Sequence, residues 1–144
     1  MQPRPMMQPP RRVEMRDFFV YDVTFASLAN GTSATQNVTI QADANFHIQK
    51  LTYMADIAAA IQTDSSRVLP LVKVLITDTA SGRQLMDTAV PIPALFGTGP
   101  LPFILPRPRV IASRSTLTVT ATNYSAGTTY NFQLSFIGEK VYLP

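Results

Sequence analysis

Tyr130, Phe132, Leu134 and Phe136 are separated by Asn131, Gln133 and Ser135. An apolar side chain at every second position is the mark of a strand with one buried face and one wet face; an amphipathic helix would need a period of 3.6. Residues 115–121 alternate in the same way through Leu117, Val119 and Ala121. The intervening Asn123-Tyr124-Ser125-Ala126-Gly127 is rich in turn formers, so a C-terminal hairpin is expected. Residues 139–142 would extend its second strand past a bulge at Gly138.

The same period recurs along the chain. Phe19, Tyr21, Val23 and Phe25 fall on one face of a long strand, with Asp22 and Thr24 on the other. Asn30-Gly31 is a strong turn signal. Residues 37–41 alternate again. Phe46 and Ile48 continue the pattern, and Leu51 and Tyr53 rejoin it after a slip of register. Residues 71–78 form a β-branched run closed by Ser81-Gly82, with residues 84–87 as its expected hairpin partner. Residues 55–63 read two ways: a short helix on propensity, or a strand running into a loop. The second is favoured because Asp64-Ser65-Ser66 offers no helix C-cap. Eight or so short strands with regular turn signals make the chain all-β, a single antiparallel β-sandwich. Its long connections point to Greek-key or jelly-roll wiring.

Proline interrupts this pattern in two places. Residues 1–17 hold four prolines in their first ten positions, together with Met6, Met7, Met15 and four arginines, Arg4, Arg11, Arg12 and Arg16. Lacking donors and locked in φ, they suit neither helix nor inner strand and are expected to form an extended arm ahead of a sandwich at 18–144. The second place is residues 90–109, with six prolines in the paired spacings 91/93, 100/102 and 106/108. No central strand accommodates that, so a stiff surface loop or a sheet edge is expected. Its Phe96 and Phe103, beside Arg107 and Arg109, either close one end of the sandwich or present a patch to a partner.

Charged residues make up only 15% of the chain, against ~25% in an ordinary soluble domain. Such a surface is either neutral and Thr-rich or covered by partners. There is no cysteine, which excludes disulfides and thiolate sites. No apolar run is long enough to span a membrane, and no h-region of a secretory signal is seen. Three Asn-X-Ser/Thr sequons are expected by chance in so Thr-rich a chain. The lone histidine, His47, sits in a strand pattern with no activated nucleophile beside it, and a pairing with Asp56 is the weakest of the functional readings. Asp78 and Asp87 are explained as turn residues rather than a catalytic carboxylate pair. No catalytic residue, metal site or cofactor is expected. The basic stripe with interleaved aromatics that nucleic acid calls for is not present either.

In its basic, Pro-rich arm, its Cys-free, Thr-rich strands, residues 89–97 with 101–106, and the closing residues 131–140, the chain resembles the small virion proteins of tailed bacteriophages. These are β-sandwich subunits that decorate capsids or form the neck collar. The resemblance implies a non-enzymatic role in many copies within the virion, assembled in the host cytoplasm, as a decoration or minor capsid subunit. Neck, collar or tail subunits are the near alternatives, and a receptor- or glycan-binding sandwich is a more distant one. The implied partners are further copies of the chain and other virion proteins such as the major capsid protein or connector. Contacts would run through Arg4, Met6, Met7, Arg11, Arg12, Met15 and Arg16 of the arm and through Phe96, Phe103, Arg107 and Arg109 of the Pro-rich segment.

Overall fold

A computed structural model describes residues 2, 3, 5, 14–58 and 68–142. Nine strands and one helical turn follow each other: β1 (Arg16–Leu28), β2 (Ser33–Thr39), β3 (Ala44–Ile57), β4 (Val72–Asp78), β5 (Arg83–Gln84), β6 (Val90–Pro91), α1 (Ile92–Leu95), β7 (Phe103–Ile111), β8 (Thr116–Asn123) and β9 (Tyr130–Tyr142). They form two antiparallel sheets, ordered β1-β9-β3-β7 and β2-β8-β4-β5, with β6 also on β4. β5 pairs with the end of β4 through Thr77–Gln84, and β6 with its start through Val74–Val90. The two short pieces therefore act as one interrupted strand, which makes eight strands among the described residues.

The chain crosses between sheets at nearly every connection: β1 to β2, β2 to β3, β3 to β4, β6 to β7, β7 to β8 and β8 to β9. This is jelly-roll wiring, and it corrects the expected C-terminal hairpin. β8 and β9 lie in opposite sheets, and Asn123 to Gly127 form an arch between them. The Asn30-Gly31 turn is likewise an arch, with Gly31 in the left-handed region at φ 70°. The two arches are joined at Asn123, whose backbone N–H donates to Thr32 at 3.0 Å and whose carbonyl accepts from Gly31 at 2.9 Å.

Alternation places the core as expected. Tyr21, Val23 and Phe25 of β1 meet Phe132, Leu134 and Phe136 of β9 between the sheets, with Phe25 and Phe132 stacked at 4.7 Å. The register slip in β3 is present: its pairing with both neighbours shifts between Ile48 and Lys50, which returns Leu51 to the interior. Gly138 of β9 lies opposite this irregularity, so close that a Cβ would stand 1.9 Å from the His47 carbonyl oxygen. β9 itself runs through Gly138 without a break. β3 extends to Ile57, in keeping with the strand reading of residues 55–57; residues 59–63 lie outside the described ones.

Two boundaries differ from expectation. β1 begins at Arg16 instead of after Asp17, and the Tyr142 N–H donates to the Met15 carbonyl at 3.1 Å, so β9 captures the end of the expected arm. The Pro-rich segment is only partly loop. It contains β6, the helical turn α1 and the edge strand β7, where Pro106 and Pro108 occupy a gap in the ladder between Arg109–Ile48 and Ile104–Lys50. An edge tolerates missing donors, which is why proline is found there.

Candidate interaction site

The four-stranded sheet ends in β7 on one side and the five-stranded sheet in β5 and β6 on the same side. Because both edge elements are short or interrupted, the sandwich stays open along this seam as a groove of about 360 Å³. Leu85, Met86, Leu95 and Leu105 supply apolar lining, and Phe103, Arg107 and Arg109 also line it. No carboxylate is among its described lining residues. The Nη2 atom of Arg109 is buried with no hydrogen-bond partner. A buried guanidinium N–H normally finds an acceptor, and this one is an exception among the described residues.

Three of the expected contact residues thus meet here: Phe103, Arg107 and Arg109. Phe96 does not. It is 2% exposed and packs edge-on against Phe136 at 6.1 Å, because the α1 turn rotates it into the core. It is a structural residue, which corrects its reading as a contact. Arg4, Met6, Met7, Arg11 and Arg12 lie outside the described residues.

Met15 and Arg16 stand at the opposite edge of the same sheet. Met15 is exposed. Arg16 ion-pairs with Glu14 at 2.8 Å and with Glu139 at 3.4 Å, and these carboxylates, Glu14 foremost, raise its pKa further above the ordinary guanidinium value. Its fork is committed within the chain, where it ties β1 to β9. Phe18 beside it is 74% exposed, a surface residue that sequence reasoning did not single out. The ladders align Phe18 with Glu139, Glu139 with His47, and His47 with Val110, one row across the sheet. The next row runs Val20, Ile137, Lys50, Ile104. With Ile104 and Val110 also exposed, the outer face is apolar at both edges, with Glu139, His47 and Lys50 between them. The signal was available in the even-numbered positions of β1, but only the register joins them to β7.

A second, larger cleft of about 670 Å³ opens at the other end of β3, lined among others by Tyr53, Met54, Val68, Leu69 and Gln133. Burial raises the Tyr53 phenol above its ordinary pKa. Among its described lining residues no reactive side chains are grouped. Among the described residues no three potential metal ligands come together. His47 and Asp56 lie nine residues apart on β3, a separation of about 30 Å, so they cannot share a proton. Asp78 accepts from the Ala80 N–H and the Ser81 hydroxyl, a turn role as expected.

No protein-family model and no curated protein matches the chain. Among solved structures, a chain described as Desmodium yellow mottle tymovirus is similar, at 12% identity over 99% of this chain and 97% of that one, with a TM-score of 0.42.

Proposed function

We propose that this chain is a non-enzymatic structural subunit of a virus particle, present in many copies and joined to its neighbours by side-chain contacts and by its N-terminal arm. The observation that carries this reading is the jelly-roll wiring, β1-β9-β3-β7 over β2-β8-β4-β5, with a Pro-, Met- and Arg-rich segment leading into β1. Jelly rolls of this kind serve as capsid and lectin domains, among other uses, and fold alone does not choose between them. Two further features favour the capsid use. The chain has no tryptophan to stack on a sugar. Its outer sheet face leaves Phe18, Ile104 and Val110 in water, which suits a surface that neighbours cover. The finer reading is a decoration or minor capsid subunit of a tailed phage, with collar and tail positions as variants.

The test is the native mass and negative-stain image of the full chain against a form lacking residues 1–13. That truncation spares Met15 and Arg16, which belong to the folded domain. The full chain is expected to form rings or closed shells, and the truncated form to melt at the same temperature but assemble poorly. A full chain that stays monomeric at high concentration sinks the reading.

A further inference from the structure

We infer that two copies of this chain join through their β2 edges, pairing antiparallel about a two-fold axis at Gln36, so that one sheet runs through both copies. The contact adds to the proposed function and stands without it.

Each sheet ends in two edges, and an unguarded edge invites a further strand. Three of these edges are guarded. β7 carries Pro106 and Pro108. β5 and β6 are two residues each, with Pro91 in β6. β1 carries Arg16, Asp17 and Asp22, and its register breaks between Phe25 and Leu28, where Ser27 takes φ 52°. β2 has none of these devices. It holds no charge, proline or glycine, and its register with β8 runs unbroken from Ser33 to Thr39. Among the described residues it has no strand on its other side.

The backbone groups on that side follow from the ladder. Just outside β2, the Ile40 N–H donates to the Ser115 carbonyl at 2.8 Å, and the Thr32 carbonyl accepts from the Asn123 N–H at 3.0 Å. Bonded and non-bonded pairs alternate along an antiparallel ladder, so Ala34, Gln36 and Val38 direct their N–H and C=O groups at β8. Ser33, Thr35, Asn37 and Thr39 direct theirs away from it. The Ser33 and Thr35 hydroxyls lean the other way, to Thr122 at 2.7 Å and Thr120 at 3.1 Å, and leave the edge uncovered.

A second β2 completes this edge in one register. With Gln36 opposite its own copy, Ser33 of one chain meets Thr39 of the other and Thr35 meets Asn37, each pair exchanging two backbone hydrogen bonds. Ala34 meets Val38 on the face that packs against the core. A slide of one residue would set free groups against groups already bonded to β8, and a slide of two leaves Ser33 or Thr39 unpaired. With no charge in the strand, nothing in it repels its copy. The contact is isologous, residue for residue, and closes at a dimer.

The chain has no cysteine, which makes disulfide trapping clean. Across the axis Gln36 and its copy form a non-bonded pair with Cα atoms about 4.5 Å apart, within the span of a disulfide. Full-length Gln36→Cys, under mild oxidation, is expected to yield a covalent dimer much faster than Leu101→Cys, whose exposed loop position reports random collision. Gln36 is itself exposed, so charge is tolerated there in the single chain. Gln36→Lys and Gln36→Glu, each alone, are expected to weaken dimerisation in sedimentation by about tenfold or more, since like charges then face each other. An equimolar mixture of the two is expected to recover it as a heterodimer. Cross-linking no faster than in Leu101→Cys, or a mixture that fails to recover, overturns the edge contact and leaves the proposed function standing. Dimers that never grow into larger particles uphold this contact and sink the proposed function.

Discussion

The side-chain amide of Asn123 donates to the carbonyl of Leu28 at 2.9 Å, joining the end of β8 to the end of β1 across 95 residues of chain. The same nitrogen donates to the Thr128 carbonyl at 2.7 Å, and its Oδ1 accepts from the Ser125 N–H at 2.9 Å. Asn123 is fully buried. One side chain therefore stitches both arches that carry the chain from sheet to sheet. Asn123→Ala would strand these backbone groups away from water and is expected to destabilise the fold by about 2–4 kcal/mol. Asn123→Asp is expected to be worse at neutral pH, since a carboxylate would face two carbonyls, and to improve as the pH falls. Denaturant melts at pH 7 and pH 4 check both; an Asp variant no more sensitive to pH than wild type would refute the account.

Gly138 and Gly99 form a matched pair for a second prediction. A Cβ on Gly138 would meet the His47 carbonyl oxygen at 1.9 Å and Ile48 Cα at 3.1 Å, both backbone atoms held in the ladder. One on Gly99 meets nothing within 4 Å. Gly138→Ala is expected to cost about 3 kcal/mol or more, because β3 and β9 must separate to admit it. Gly99→Ala is expected to be neutral or slightly stabilising, through the unfolded chain. Equal melting temperatures for the two variants would show that the bulge in β3 yields freely.

Lys140 points between the sheets at one end of the sandwich and is only 5% exposed. Its ammonium donates to the Gln41 side-chain oxygen, sits 3.3 Å from Asp43, and lies 4.1 Å above the Phe19 ring. Asp43 remains about half exposed, so water can replace the lysine there. Lys140→Met keeps the stem over Phe19 and is expected to change stability by less than about 1 kcal/mol, in line with apolar replacement of buried ion pairs. Lys140→Glu sets a second carboxylate beside Asp43 and is expected to cost more than about 2 kcal/mol. Thermal melts of the two variants distinguish a pairing role from simple packing.

What the residues disclosed in advance was which faces are buried, and what they concealed was which strands are neighbours. The three-residue gap from Ile48 to Leu51 was enough to place the slip in β3, because a period of two cannot absorb it. The stretch from Asn123 to Gly127 read as a hairpin because turn residues specify a reversal and not its destination. The destination was decided by the inward amide of Asn123 and its bond to Leu28. Phe96 gave no periodic signal among prolines, and the single helical turn that buries it is too short to be read from propensity. The seam groove draws its lining from the β5–β6 region, α1 and β7. Arg107 and Arg109 were visible as charges near prolines, but their shared floor exists only once the two sheets meet.

Tyr142 and Asp17 yield a prediction in pH. The Tyr142 hydroxyl donates to Asp17 at 2.8 Å, and this bond first, then desolvation and the negative charges of Asp17 and Asp43, raises the phenol above its usual 10.0. A phenol with a raised folded-state pKa makes its full contribution below the unfolded value and loses it as the pH climbs through the folded one. The bond also holds the start of β1 against β9, so its loss is expected to loosen that edge. The melting temperature should therefore fall as the pH rises above 10.0, the ordinary phenol value. Tyr142→Phe and Asp17→Asn should each start slightly lower at pH 8 and decline less steeply. Tyr53, raised by burial alone, serves as the control: Tyr53→Phe should also flatten the alkaline decline, but without altering amide exchange at the start of β1. Hydrogen exchange over residues 15–18 separates the two. Faster exchange in Tyr142→Phe and unchanged exchange in Tyr53→Phe is the expected result, and equal exchange in both would mean that the Asp17 bond does not anchor the edge.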